Sequence, residues 1–228
     1  LDNNNLRAKL NVIDLGQKDY KEVWDLQKII HQKRVEKEIT DTLLLVEHNP
    51  VITMGKSGKQ NNLLIPFKLL EEKGIAYYQI ERGGDVTYHG LGQVVGYPII
   101  NIKEGLIGIR PFIERLENVI IATLVEFGIK GEKKEKMIGV WTETGKICSI
   151  GVAVKRWVSF HGFAFNVNTN LKHFDLIVPC GLKNVTMTSM QKILNKEISL
   201  DRVKKSIIKN FGVIFKKRLE ERCLKEII

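Results

Sequence analysis

Three short stretches hold residue types that could do chemistry. RGGDVTYHG, residues 82–90, sets adjacent glycines and an imidazole in one segment. A glycine pair lets backbone N–H groups approach a bound group closely, because no Cβ intervenes. The same residues also fit a plain hairpin-like turn, with His89 a satisfied core histidine. GKICSIG, 145–151, puts Lys146 between a turn glycine and an apolar run. A lysine there either snorkels to solvent or, partly buried, exchanges protons near neutrality. LIVPCGL, 176–182, sets Cys180 at a Pro/Gly turn after an apolar run. Such a thiol is either an inert core residue or one that reaches a cavity. Cys148, inside a strand-like run, reads as structural, and Cys223 lies in a charged tail. Nucleotide-binding patterns are absent: no G-x-G-x-x-G occurs, and in TMGKSGKQ (53–60) Pro50 stands where a phosphate loop has its first glycine.

These stretches need elements to hold them. LNVIDLG (10–16) reads as a strand, and Tyr20, Val23, Leu26 and Ile30 then recur at helical spacing within 17–38. TLLLVEH (42–48) is a continuous apolar run, as in a strand buried on both faces. Asn49-Pro50 breaks it before VITMG resumes. A short helix is expected over 66–74, opened by Pro and closed by Gly, followed by the strand IAYYQIE, the glycine-rich loop and the strand QVVGYPIINI. Phe112, Leu116, Val119, Ile120, Leu124 and Phe127 line one face of a second long helix ending at Gly128. Residues 137–167 read as three successive strands turning at 143–145 and at Lys155-Arg156, and an amphipathic helix follows from 201. The order implies an α/β fold, one domain over 1–228, with a mixed, largely antiparallel sheet flanked by helices.

Composition narrows the classes. With 228 residues, 43% hydrophobic and 27% charged, the chain can build one full core. No window approaches 18 uninterrupted apolar residues, so no membrane span is expected. The first residues, LDNNNLRAKL, contain no apolar signal region and do not begin with Met. The reading is cytoplasmic, or organellar if an upstream targeting segment was removed. Three scattered cysteines make neither a disulfide framework nor a zinc pair. The net charge of +10 fits a polyanion or the steering of acidic protein partners. Its dispersed lysines and arginines argue against a nucleic-acid stripe.

Taken together, HNPVITMGKSGKQNNLL, RGGDVTYHGLGQVVGYPI, GVWTETGKICSIGVAVKRWVSFHGFAFNV and IVPCGL resemble the blocks of the lipoyl(octanoyl) transferase family, in that family's order. Two departures are Leu91, where the family usually has Pro, and Cys148, where Ala is usual. The resemblance implies the α/β architecture shared with biotin and lipoate protein ligases. It also implies transfer of an octanoyl group from octanoyl-acyl carrier protein to a lysine of lipoyl domains, through an acyl-cysteine thioester. Cys180 would be the nucleophile and Lys146 its acid/base partner. Arg82, Gly83, Gly84, Asp85, Val86, Thr87, Tyr88, His89, Ser149, Ile150, Gly151, Gly162, Phe163 and Ala164 would line the acyl pocket. Neither metal, ATP nor another cofactor enters that scheme. Partners would be octanoyl-acyl carrier protein, the lipoyl domains of 2-oxoacid dehydrogenase complexes and the glycine cleavage H protein, met by a monomer.

Simple chemistry supports such a dyad. A free thiol, pKa about 8.5, is only a few per cent thiolate at neutral pH. A free lysine titrates near 10.4, so in water the Cys⁻/Lys⁺ pair is favoured over the neutral pair by about 2.6 kcal/mol, and burial opposes both charges. The nearest rival is an ATP-dependent lipoate or biotin ligase of the same fold, which needs no cysteine nucleophile. A basic nucleic-acid-binding module would leave the loop, Lys146 and Cys180 unused.

Overall fold

The apolar run at 42–48 lies at the centre of the molecule because its alternate side chains serve two different cores. In the computed structural model, which describes residues 8–104, 108–179 and 185–228, this run is β2 (Asp41–His48). Leu43 and Leu45 enter one core, and Leu44 and Val46 enter the other, as the period of two requires. It therefore reads as unbroken hydrophobicity rather than alternation.

Around it runs an eight-stranded sheet. β1 (Lys9–Lys18) lies beside β2, and β6 (Gln93–Ile99), β10 (Val158–Asn166), β9 (Gly145–Lys155), β8 (Met137–Thr142) and β7 (Glu132–Lys134) follow on the other side. β11 (Arg218–Glu221) closes the opposite edge. β1 runs parallel to β2 and β11, while β2, β6, β10, β9, β8 and β7 pair antiparallel in succession. A smaller sheet, in the order β4 (Ala76–Gln79), β3 (Val51–Met54), β5 (Val86–His89), sits apart from it.

Helices cover both faces of the large sheet. α1 (Tyr20–Val35) buries Tyr20, Val23, Leu26 and Ile30 against one face. On the other, α3 (Ile109–Glu126) presents Phe112, Leu116, Val119, Ile120 and Leu124, and α5 (Leu200–Phe215) presents Val203, Ile207, Phe211 and Phe215 at four-residue intervals. Ser199 caps α5, its side chain accepting from the Arg202 N–H. A third cluster joins the small sheet to α2 (Phe67–Glu72) and to the 3₁₀ turns at 171–176, through Ile52, Leu70, Val86, Tyr88 and Phe174.

Two differences from the sequence expectation matter for the site. The segment read as one glycine-rich loop contains β5, whose four residues pair with β3 from Val51↔His89 to Met54↔Val86. Its residue types suit a strand, but glycines at either end disguise it. The second hairpin turns on Arg156 and Trp157, at φ 50° and 65°, the left-handed pair of a two-residue turn, so its tip lies one residue beyond the Lys155-Arg156 corner. The edge strands β7 and β11 and the short α4 (Met190–Leu194) gave no expectation, being short and polar or lacking periodicity.

Candidate active site

β5, β9 and β10 converge on a cavity of about 450 Å³, within the usual span for a small ligand, about 300–1,000 Å³. One wall is the segment Arg82–Thr87 with His89, a second is Ser149–Val152 of β9, and a third is His161–Ala164 of β10. Adjacent register sets the last two side by side, with Gly151 opposite Gly162 and Ser149 opposite Ala164. Gly151 leaves room there. A Cβ at that position would lie 3.0 Å from the Gly83 carbonyl oxygen and 3.1 Å from Arg82 Cδ. Its absence lets the loop lie on the strand, and the Gly83 N–H donates to the Val152 carbonyl at 2.9 Å.

Lys146 also lines the cavity, with only 2% of its surface exposed. It is not a snorkelling lysine. Its Nζ lies 5.4 Å from the centroid of the Trp141 ring, close enough for a cation–π contact. Room for its side chain comes from Gly139, at φ +124°, where a Cβ would stand 2.6 Å from Lys146 Cε and 3.2 Å from Nζ. The Lys146 N–H donates to the Thr186 carbonyl and its own carbonyl accepts from the Thr188 N–H, both at 2.9 Å. These bonds hold residues 186–188 against β9. Cys180 itself lies outside the described residues. Before it, the Val178 N–H donates to the Asn62 carbonyl at 2.8 Å.

Cys148 is fully buried, and burial pushes its thiol pKa up in spite of the nearby Lys146 charge. This is the structural role its strand-like surroundings suggest, since a thiol held protonated is a poor nucleophile. Tyr88 is the predicted pocket residue that does not line the cavity. Strand alternation turns it to the other side of β5, where it packs edge-on against Phe174 and its hydroxyl lies 2.7 Å from His173 Nδ1.

Several lining residues gave no local signal in the sequence. Tyr20, from α1, stacks on His89 at a centroid distance of 5.7 Å. The Tyr97 hydroxyl lies 2.8 Å from His48 Nε2, and His48 Nδ1 lies 2.9 Å from the Lys18 carbonyl. The carbonyl only accepts, so Nδ1 carries the proton and Nε2 accepts from Tyr97. His161, at φ +55°, places Nε2 3.6 Å from a Glu81 carboxylate oxygen. Burial lowers the pKa of His48, His89 and His161, so these imidazoles stay neutral near pH 7. The site is thus an apolar-walled cavity with one buried amine, neutral imidazoles and the Arg82 guanidinium, which donates to the Thr53 carbonyl at 2.7 Å. Such a place suits an uncharged chain with a reactive group near the amine. Among the described residues, no three His, Cys, Asp or Glu side chains converge as a metal site would require.

Comparison with known proteins agrees with this geometry. The family model for the lipoyl protein ligase A/B catalytic domain matches residues 19–212. The octanoyltransferase of Caldicellulosiruptor saccharolyticus is 46% identical over 227 residues, covering 96% of each chain. That of Syntrophobacter fumaroxidans is 45% identical over 219 residues, again 96% of each. Among solved structures, the bipartite lipoate protein ligase of Thermoplasma acidophilum superposes with a TM-score of 0.76 at 14% identity, covering 95% of this chain and 88% of its own. At that identity the likeness speaks for the fold alone. By the family model and its similarity to these octanoyltransferases, the chain belongs to the lipoyl protein ligase A/B catalytic domain family.

Proposed function

We propose that the chain is an octanoyltransferase that moves an octanoyl group from octanoyl-acyl carrier protein to a lysine of lipoyl-accepting proteins, using Cys180 as nucleophile and Lys146 as acid and base. The observation that carries this reading is the burial of Lys146 at an apolar-walled cavity, with its backbone bonded to Thr186 and Thr188. In the first half-reaction the Cys180 thiolate attacks the thioester carbonyl, the carbon–sulfur bond to the carrier breaks, and Lys146-NH₃⁺ gives a proton to the departing thiol. Lys146 is then neutral. In the second, the acceptor amine attacks the acyl-Cys180 thioester, Lys146 takes a proton from that amine, and Cys180 leaves as thiolate. Protons and charge balance over the cycle, with the amide as product.

Ser149 supports the same reading. Its buried hydroxyl lines the cavity and has no hydrogen-bond partner among the described residues, so a donor is available for carbonyl oxygen as charge develops there. The whole chain acts as one catalytic domain, a cytoplasmic monomer whose +10 charge steers acidic protein substrates to the cavity. Among the described residues, no helix is long and apolar enough to cross a membrane.

The test is intact-protein mass spectrometry after incubation with octanoyl-acyl carrier protein. Wild type is expected to gain one octanoyl group at Cys180, lost to hydroxylamine or to a lipoyl-domain acceptor, and Cys180→Ser should gain none as a thioester. Lys146→Ala should bind the donor and transfer slowly. Acylation only with ATP and free octanoate, or a thioester elsewhere in Cys180→Ser, would overturn the proposal.

A further inference from the structure

A second feature joins the glycine-rich segment to Lys146 through the interior. Arg82 Nη2 donates to Thr53 Oγ1 at 3.0 Å, and Thr53 Oγ1 lies 3.4 Å from His89 Nε2. His89 Nδ1 lies 2.9 Å from Gln93 Oε1, and Gln93 Nε2 donates to Asn166 Oδ1 at 2.9 Å. Asn166 Nδ2 then donates to the Thr188 carbonyl at 3.1 Å, and the Thr188 N–H donates to the Lys146 carbonyl at 2.9 Å. Thr53, Gln93, Asn166 and Thr188 are at most 1% exposed, and His89 is 6% exposed.

The chain runs one way. A guanidinium only donates, so Thr53 accepts from Arg82 and gives its own proton to His89 Nε2. Gln93 Nε2 also donates to the Tyr88 carbonyl at 3.2 Å, which fixes the amide with its oxygen toward His89. His89 must then carry its proton on Nδ1. Gln93's second N–H goes to Asn166, whose own amide is thereby oriented to donate onward. Each group meets a partner of opposite sense, and reversing any one places two acceptors face to face. Buried networks of this kind are costly unless every member is satisfied, and apolar side chains would fill the same space without that constraint.

We infer that Gln93 and Asn166 are positioning residues that lock the backbone of Lys146, and residues 186–188, against the Arg82–His89 wall of the acyl cavity. The inference rests on the proposed octanoyl transfer and adds what holds its reacting parts in register. Neither Gln93 nor Asn166 lines the cavity. Their effect is carried by the Thr188 carbonyl and by the strand that Thr188 pairs with. Burial keeps His89 neutral, so the direction of the chain persists through the neutral pH range.

The experiment compares wild type with Gln93→Met, Asn166→Leu and the double variant, measuring kcat and KM for octanoyl transfer alongside thermal unfolding. Each substitution keeps roughly the side-chain volume and removes the amide, leaving no buried carboxyl to take up a proton and donate in its place. A single variant is expected to lose about tenfold to a hundredfold in kcat, with KM for the donor within about twofold. The double variant should lose little more than either single one, since both cut the same chain. Gln93→Glu, whose carboxyl cannot supply both of the N–H donors that Gln93 gives to Tyr88 and Asn166, gives the same reading where Gln93→Met fails to fold. Folded variants within about twofold of wild-type kcat would overturn the inference and leave octanoyl transfer standing. So would losses that multiply in the double variant, as two independent packing defects would. A wild-type chain that transfers no octanoyl group removes the proposed function, and this inference with it.

Discussion

Replacing Gly139 with alanine tests the placement of Lys146 directly. The added methyl would stand 2.6 Å from Lys146 Cε and 2.5 Å from the Cys148 carbonyl oxygen, whereas ordinary contact starts at 3.4 Å. The lysine and the adjacent part of β9 must therefore give way by roughly 0.8 Å. A misplacement of about 1 Å is worth up to about a hundredfold in rate to a catalytic group. Gly139→Ala is expected to lower kcat for octanoyl transfer by about ten- to a hundredfold, with KM for the donor little changed. The positive φ adds strain of about 1–3 kcal/mol in any residue bearing a Cβ, and this lowers stability without altering chemistry. Gly16→Ala separates the two effects. Its φ is +63°, yet its Cβ would meet nothing within 4 Å, so it carries the milder strain of the left-handed region without the collision. Steady-state transfer to a lipoyl-domain acceptor, followed by mass spectrometry, and thermal melts of both variants make the comparison. A folded Gly139→Ala protein within about twofold of wild-type kcat would refute the assignment of Lys146 as the proton-transferring group.

Two further outcomes follow from the buried groups around the cavity. Burial lowers the His48 pKa to about 4, against the opposing hydrogen bond to the Lys18 carbonyl, whereas an unfolded-chain histidine titrates near 6.5. Between those values the unfolded chain binds the extra proton. Stability from neutral His48 is therefore whole above about pH 6.5 and is lost as pH falls toward about 4, by about 3 kcal/mol. His89 and His161 act in the same direction. Urea unfolding at about pH 7 and about pH 4.5 should show the loss, and His48→Gln should show a smaller one; equal losses in the two proteins would remove His48 as a cause. Tyr88→Phe gives up the contact with His173 and should cost about 1 kcal/mol of stability while leaving kcat and KM unchanged. A fall in transfer by the folded variant would return Tyr88 to the acyl site.

Much of the fold is legible in local pattern, because helix and strand periodicity are imposed by the backbone. Phe112, Leu116, Val119, Ile120 and Leu124 mark α3 before any packing is known, and all five are buried. The apolar run at 42–48 announces a strand covered on both faces, and β2 is that strand. β5 is not legible in this way. It is four residues long, has glycines near both ends, and is defined by its pairing with β3 and its packing in the third cluster.

The sequence by itself determined the longer elements, the family and the residue types available for acyl transfer: a lysine after a turn glycine, a cysteine between proline and glycine, and a loop of bare backbone. Each lies within a few consecutive positions, where chemistry and spacing can be read together. Tertiary structure alone decided that Lys146 is buried rather than solvated, because that depends on Gly139 and Trp141 in the neighbouring strand. It also decided that Tyr20 meets His89, that Tyr88 faces away from the cavity, and that Arg82 is linked to Lys146 by a buried run of hydrogen bonds. Those contacts join residues far apart in the chain. Their existence follows from strand register and sheet order, which no local stretch of sequence specifies.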